Sequence, residues 1–213
     1  MTITAYDLYM DARSVLGLNF QDGRLDDNNK VGVMASLNRA LSEFCADKDW
    51  PFLYVESSVS TVSGQGYITL PAATTHVTFV SLESNLLQQV QRRDSVRWFG
   101  VTARPSYFSA LNGRAYLTPT PDGVYVINLG YYTQIAKVAT PASLSLLSAT
   151  TLAIPQELIG LVTLYVAKHF SMILKDYDGY KLVNEEIRSE KQKLDDAARL
   201  STAPQAPRTR RDS

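Results

Sequence analysis

The chain has 213 residues, enough for one large domain or two small ones, and 45% of them are hydrophobic, so a substantial core is possible. Lys plus Arg and Asp plus Glu both number 21, and this zero net charge argues against tight or sequence-specific nucleic-acid binding, which usually comes with a basic surface. The single cysteine, Cys45, excludes an internal disulfide framework and reads as a small buried hydrophobe. The first residues carry neither a basic nor an apolar leader region, and the charge-free apolar stretch Leu158–Ala167 is shorter than the ~20 residues a bilayer requires. The expectation is a soluble intracellular protein.

Apolar residues recur at helical spacing from Ala5 to Lys48, alternate as in strands from Phe52 to about Thr133, and return to helical spacing from Pro155 to Leu200. Thr4 precedes a first helix over Ala5–Leu16, with Asp7 placed for a capping arrangement and Leu8, Ala12, Val15 and Leu16 as its apolar stripe. Asn19–Lys30 is a polar connector in which Asn28 or Asn29 can cap the next helix. Its acidic cluster lacks the alternating ligands and terminal glutamate of a calcium loop. The second helix follows Met34, Leu37, Leu41, Phe44 and Lys48 and stops at Asp49-Trp50-Pro51, because proline pushes Trp50 out of the helical region. Trp50, Pro51 and Phe52 form the expected helix–sheet junction, with the indole large enough to plug it.

Strands are expected at Leu53–Ser63, Tyr67–Leu70, His76–Leu82 and Leu86–Val90, with one helical turn at Asp94–Phe99. Gly64-Gln65-Gly66 precedes a strand rather than a helix, so it reads as a turn and not as a phosphate cradle. Asn112-Gly113 is the strongest hairpin signal, joining Tyr107–Leu111 to Arg114–Leu117, since both residues tolerate the positive φ of a type I′ turn. A rigid turn follows at Pro119-Thr120-Pro121-Asp122-Gly123. Val124–Tyr132, apolar on both faces, reads as a central strand covered on both sides.

Gln134–Thr151, rich in Ala, Ser and Thr, suits a long return loop. Pro155 opens a third helix, so apolar from Leu158 to Leu174 that it must be contacted on several sides and serve as the hub of a helical body. Each side chain fully buried there stabilises by ~1.5–3 kcal/mol. Tyr177-Asp178-Gly179 turns the chain into a charged fourth helix over Tyr180–Leu200, with a thin stripe of Val183, Ile187, Leu194 and Ala198. The tail from Ser201, with prolines and Arg208, Arg210 and Arg211, reads as disordered when alone.

The fold class is therefore α+β: a helical bundle built from the N- and C-terminal segments, 1–50 and 153–200, with an inserted antiparallel β-sandwich-like domain over 51–152 and a flexible basic tail over 201–213. His76 and His169 have no partners at metal-ligand spacing, and no serine elbow, phosphate loop or paired-acid signature is present. No catalytic, metal or cofactor residues are assigned, and no enzyme is expected. The tyrosines, 12 in number, suit either a β-core rim or an interface.

The order of these features resembles phage head-to-tail adaptor (connector) proteins of the podovirus-like kind. The residues that carry the resemblance are Asp49-Trp50-Pro51-Phe52-Leu53 after an amphipathic helix and Arg104-Pro105-Ser106-Tyr107-Phe108 before the Asn-Gly hairpin. Tyr116–Asp122, Leu129-Gly130-Tyr131-Tyr132 and the Ile154-Pro155 start of a helical pair complete it, over about residues 31–200. The resemblance implies a structural virion protein, assembled in the host cytoplasm, whose twelve copies ring the underside of the portal protein, meet a downstream tail or nozzle protein and continue the DNA channel. DNA would pass through without specific binding, as neutral charge allows. The tail, thirteen residues able to reach ~45 Å, is expected to dock on an acidic portal groove through Arg208, Arg210 and Arg211. The alternatives are a tail-tube or tail-completion ring without portal contact and, from a different class, a glycan-binding or hydrolytic virion protein.

Overall fold

The computed structural model describes residues 3–18, 23–93 and 100–202. The expected helical turn at Asp94–Phe99 and the tail beyond residue 202 lie outside them. Among the described residues the chain forms β1 (Ile3–Thr4), α1 (Ala5–Val15), α2 (Lys30–Asp47), β2 (Tyr54–Ser60), β3 (Tyr67–Thr69), β4 (Thr74–Leu82), β5 (Asn85–Leu86) and β6 (Gln88–Gln89). It continues through β7 (Tyr107–Leu111), β8 (Arg114–Thr118), β9 (Val126–Thr133), β10 (Thr151–Leu152), α3 (Ile159–Leu174) and α4 (Tyr177–Thr202). The fold is α+β.

Residues up to Leu41 together with those from Val138 form one compact unit, and Ser42–Lys137 form a second. The division falls within α2 and before Val138. From Val138 on, the return segment, expected as a loop, belongs to the first unit. It buries Val138, Leu144, Leu147 and Leu152, forms a 3-10 helix over Leu144–Ala149, and pairs through β10 with β1, Ile3 opposite Leu152.

In the helical unit, Thr4 caps α1 in both directions: its Oγ1 accepts from the Asp7 N–H at 3.1 Å, and its own N–H donates to Asp7 Oδ2 at 3.2 Å. The buried face of α1 is Ala5, Leu8, Tyr9, Ala12 and Arg13, whereas Val15, assigned to the stripe, is 44% exposed. Arg13 takes its place because its guanidinium is satisfied internally: Nη1 donates to the Tyr9 hydroxyl at 2.6 Å and to the Leu25 carbonyl at 3.0 Å. The Tyr9 hydroxyl donates to the same carbonyl, and its ring meets Phe170 of α3 edge-on at 5.9 Å. In the connector Asp26 caps a 3-10 turn over Asp27–Asn29, accepting from the Asn28 N–H at 2.8 Å, and α2 follows directly at Lys30.

The hub helix α3 begins after a 3-10 turn over Gln156–Leu158 and is buried around most of its circumference. The segment Gln156–Leu174 is long and apolar enough to cross a membrane, with a mean hydropathy of 1.4, because the helix runs on past Lys168. Two thirds of it is buried inside the protein (67%), as in a core helix. Lys175 ends α3 in the left-handed region, φ 57°, and Arg24 Nη1 satisfies the Leu174 carbonyl at 2.9 Å. Helix α4 starts at Tyr177, earlier than expected, because Asp176 Oδ1 accepts from the Gly179 N–H at 2.9 Å. Any side chain on Gly179 would fall 2.1 Å from that carboxylate. Val183 and Ile187 of α4 are buried.

The second unit is a sandwich of two four-stranded sheets, β2-β9-β4-β5 and β3-β8-β7-β6. All pairings are antiparallel except β6 with β7. Their inner faces share one core that includes Ile68, Val80, Leu82, Phe108, Leu117, Ile127 and Leu129. The segment expected as one strand at Leu86–Val90 breaks at buried Leu87, so β5 belongs to the first sheet and β6 to the second. Strand β9 is central, between β2 and β4, yet only its Ile127–Leu129–Tyr131 face is fully covered. On the other face Val126 is 51% exposed, and partial cover comes from Phe79 and Tyr54 at Gly130 and from His76 stacked on Tyr132.

Candidate interaction surfaces

The second unit begins with the end of α2, where the last carbonyls have no partner within the helix. Pro51 holds Trp50 extended, φ −73° and ψ 122°, and the indole folds back over the helix end. Its Nε1 donates to the Phe44 carbonyl at 2.7 Å. The indole lies nearly parallel to the Phe44 ring at 4.6 Å, and Phe52 approaches Phe44 at 6.4 Å. Trp50 is 4% exposed. Trp50, Pro51 and Phe52 thus form an aromatic clamp that ends a helix and starts β2, positioning backbone rather than reacting groups.

The hairpin residues Asn112 and Gly113 have φ 51° and 69°, and the resulting register places Leu111 opposite Arg114. The Gly113 carbonyl accepts from the Leu70 N–H at 2.9 Å. The turn at Pro121 and Asp122 is stitched to the Val62–Gln65 turn: the Pro121 carbonyl accepts from the Gly64 N–H at 2.8 Å, and the Asp122 carbonyl from Ser63 Oγ at 3.0 Å. The Tyr125 hydroxyl donates to Asp122 Oδ1 at 2.6 Å. That bond, followed by partial burial, raises the Tyr125 pKa. The hairpin and the turn shape two loops, and the Tyr125–Asp122 bond holds the second of them. Arg208, Arg210 and Arg211 lie outside the described residues.

A groove of about 420 Å³ is lined by Cys45, Asp49, Thr75, His76, Tyr132 and Gln134. His76 stacks on Tyr132 at 4.9 Å and sits 3.5 Å from Asp49. Cys45 accepts weakly from the Ile135 N–H at 3.5 Å, and burial pushes its thiol pKa up, away from the thiolate form a nucleophile requires. Among the described residues no group of three or more His, Cys, Asp or Glu comes together as a metal site would need.

Two constellations escaped sequence reasoning. Asp27 ties the return segment to the connector, accepting from the Leu144 N–H at 2.6 Å and from Ser143 Oγ at 2.8 Å. These bonds, with Lys30 nearby, hold its carboxyl below the usual range. Only tertiary pairing between distant segments reveals it. The other lies on the outer face of the second sheet. Tyr67 pairs across strands with Tyr116, ring centroids 6.1 Å apart. Arg114 Cζ sits 4.3 Å over Tyr67, and Arg92 Cζ 3.5 Å over Tyr116. The Asn-Gly hairpin fixes the β7–β8 register that puts Arg114 and Tyr116 on one face, so that part carried a sequence signal; the β3–β8 pairing of Tyr67 with Tyr116 and the reach of Arg92 did not.

The arrangement is one of contact surfaces, capped helix ends and stitched turns. A search of curated proteins returned no match. The family model described as SU10 adaptor protein matches residues 3–212, nearly the whole chain. The chain therefore belongs to the SU10 adaptor protein family and is a phage head-to-tail adaptor, a structural component of the virion.

Proposed function

We propose that identical copies assemble as a ring on the portal protein, join it to a downstream tail or nozzle protein, and continue the channel through which DNA passes without sequence-specific contact. The family match over residues 3–212 carries this reading. The helical unit supplies the ring body, and the inserted sandwich is a separate contact module. Contact area does the work, so no activated side chain is required and no enzymatic activity is assigned. Assembly takes place in the host cytoplasm, the product being part of the virion. Free protein is mainly monomeric and closes into a ring of twelve only on the portal template; light scattering that finds a stable large ring in solution contradicts this. The tail docks through Arg208, Arg210 and Arg211, so a chain ending at Leu200 binds portal rings more weakly. Co-sedimentation with purified portal, followed by electron microscopy, tests the whole reading. Binding to a tail protein but not to portal would instead indicate a tail-completion ring.

A further inference from the structure

Strand β2 forms one margin of the first sheet, pairing with β9 alone. The Thr61 N–H donates to the Tyr125 carbonyl at 2.9 Å, and the same register runs unbroken from Ser60 opposite Val126 to Tyr54 opposite Tyr132. Bonded and non-bonded pairs alternate along an antiparallel ladder, so Val55, Ser57 and Val59 turn their backbone groups toward β9. Glu56, Ser58 and Ser60 turn theirs off the sheet, and all of them are exposed. Among the described residues nothing pairs with these outward N–H and C=O groups.

The other margins of the sandwich are protected. Strand β3 is 3 residues long, and β5 and β6 have 2 each. Strand β4, where it outruns β5, is bent by register shifts between Thr74 and His76 and between Val77 and Phe79. Short strands and bulges are how folded proteins keep a sheet edge from accepting foreign chain. Strand β2 has 7 residues, with no proline, no lysine or arginine and no register shift. On its Tyr131 side Val55 is 37% exposed, which leaves apolar surface for one more strand to cover.

We propose that the β2 edge accepts an extended segment of a partner protein, which joins the first sheet as an added strand through main-chain hydrogen bonds to Glu56, Ser58 and Ser60. The side chains of β2 define the chemistry of that segment. Those that meet Val55 and Val59 must be apolar. On the opposite face the one charged residue of β2 is Glu56, exposed and accepting from the Tyr54 hydroxyl at 2.8 Å. A Lys or Arg suits the position across from it, so the segment alternates apolar and polar residues around a central cation. A second copy of β2 is the poorer occupant, since it brings another Glu56 and no cation.

The proposal goes beyond the adaptor reading and fails separately from it, since a ring on the portal can stand with this edge idle. The test titrates full-length protein into fluorescein-labelled Thr-Val-Thr-Val-Lys-Val-Thr-Val-Thr, followed by anisotropy to millimolar concentration. Two further peptides are N-methylated, one at the Val amides and one at the Thr and Lys amides. One of them is expected to lose binding and the other to keep it, because only alternate amides of a strand face a neighbouring edge. These peptides act on the unaltered protein, so the outcome does not hinge on a variant folding. Ser58→Pro deletes an outward donor where an edge strand tolerates proline and is expected to weaken the peptide by about tenfold or more. Glu56→Lys is expected to weaken it as well, and to favour a version with Glu in place of Lys. Circular dichroism checks that each variant is folded. No binding at millimolar concentration, equal binding of both N-methylated peptides, or a folded Ser58→Pro variant of unchanged affinity overturns the proposal. Self-association of the protein that Ser58→Pro abolishes would make a second copy the occupant and overturns it too.

Discussion

Removing the indole at residue 50 should destabilise the second unit in two separable steps. Trp50→Phe keeps a ring against Phe44 but deletes the donor that now meets the Phe44 carbonyl at 2.7 Å. With Trp50 only 4% exposed, losing that hydrogen bond in a site water hardly reaches should cost about 0.5–1.5 kcal/mol. Trp50→Ala removes in addition the ring stacked at 4.6 Å on Phe44, and large aromatic truncations in cores cost about 3–5 kcal/mol. The difference between the two variants isolates packing from the hydrogen bond. Urea unfolding followed by far-ultraviolet circular dichroism is the appropriate assay, since Trp50 is itself a fluorophore. Two compact units need not unfold together, and the loss should fall on the transition that also responds to a second core change in the same unit, Leu129→Ala. A Trp50→Phe variant as stable as wild type would refute the view that the indole N–H caps α2, and losses confined to the other transition would refute its placement in the sandwich.

Gly130→Ala would put a methyl 2.3 Å from Phe79 and 2.6 Å from the Tyr54 hydroxyl, so overpacking should destabilise the sandwich by about 1–3 kcal/mol in urea melts; a neutral result would mean the aromatic lid is loose. Asp176→Ala removes the cap on the Gly179 N–H and should cost about 1 kcal/mol, visible as faster amide exchange in the first turn of α4. Asp27 has its carboxyl held low by the Leu144 N–H and Ser143 hydroxyl, so its tether is complete above the unfolded carboxyl pKa. It is lost as pH falls through the lowered folded value, with protection of the Leu144 amide falling over that range, and Asp27→Asn should abolish this pH dependence. Cys45, its thiol pKa raised by burial, should alkylate at neutral pH more slowly than a free cysteine, and mild urea should erase the difference.

The parts of this fold legible in the sequence are those where one local rule acts alone. Pro51 forced Trp50 extended, Asn112-Gly113 fixed a hairpin and its register, and Thr4 with Asp7 marked a helix start. What stayed hidden depends on partners far away in the chain. The return segment has no periodicity because it is held by single side chains, Leu144, Leu147 and the Asp27 tether, rather than by a face. Nothing local announces that Tyr9 and the Leu25 carbonyl will satisfy Arg13 inside. The strand expected at Val124–Tyr132 reads as covered on both faces because Val124 and Val126 are apolar, yet Val124 lies before β9 and the two are exposed at 73% and 51%. The adaptor pattern was readable as an order of weak motifs, whereas the Arg92–Tyr116 contact needed the register of three strands at once.

The direction of the perturbed titrations agrees with a protein that works by contact. Cys45, Tyr9, Tyr54 and Tyr125 all shift upward, further into the protonated form such groups already hold at neutral pH. Asp27 shifts downward, further into the ionised form it already holds. Asp11 moves the other way, against its resting state, through partial burial and the neighbouring Asp7. Catalytic sites do the opposite, drawing acids and bases toward the working pH so that protons can move. Here the hydrogen bonds and burial that cause the shifts also stop helix ends, stitch turns and tether the return segment. The same groups therefore stiffen the surfaces that must be presented to other subunits, and a stiff surface loses less entropy when it is covered. That is the physical requirement of an adaptor.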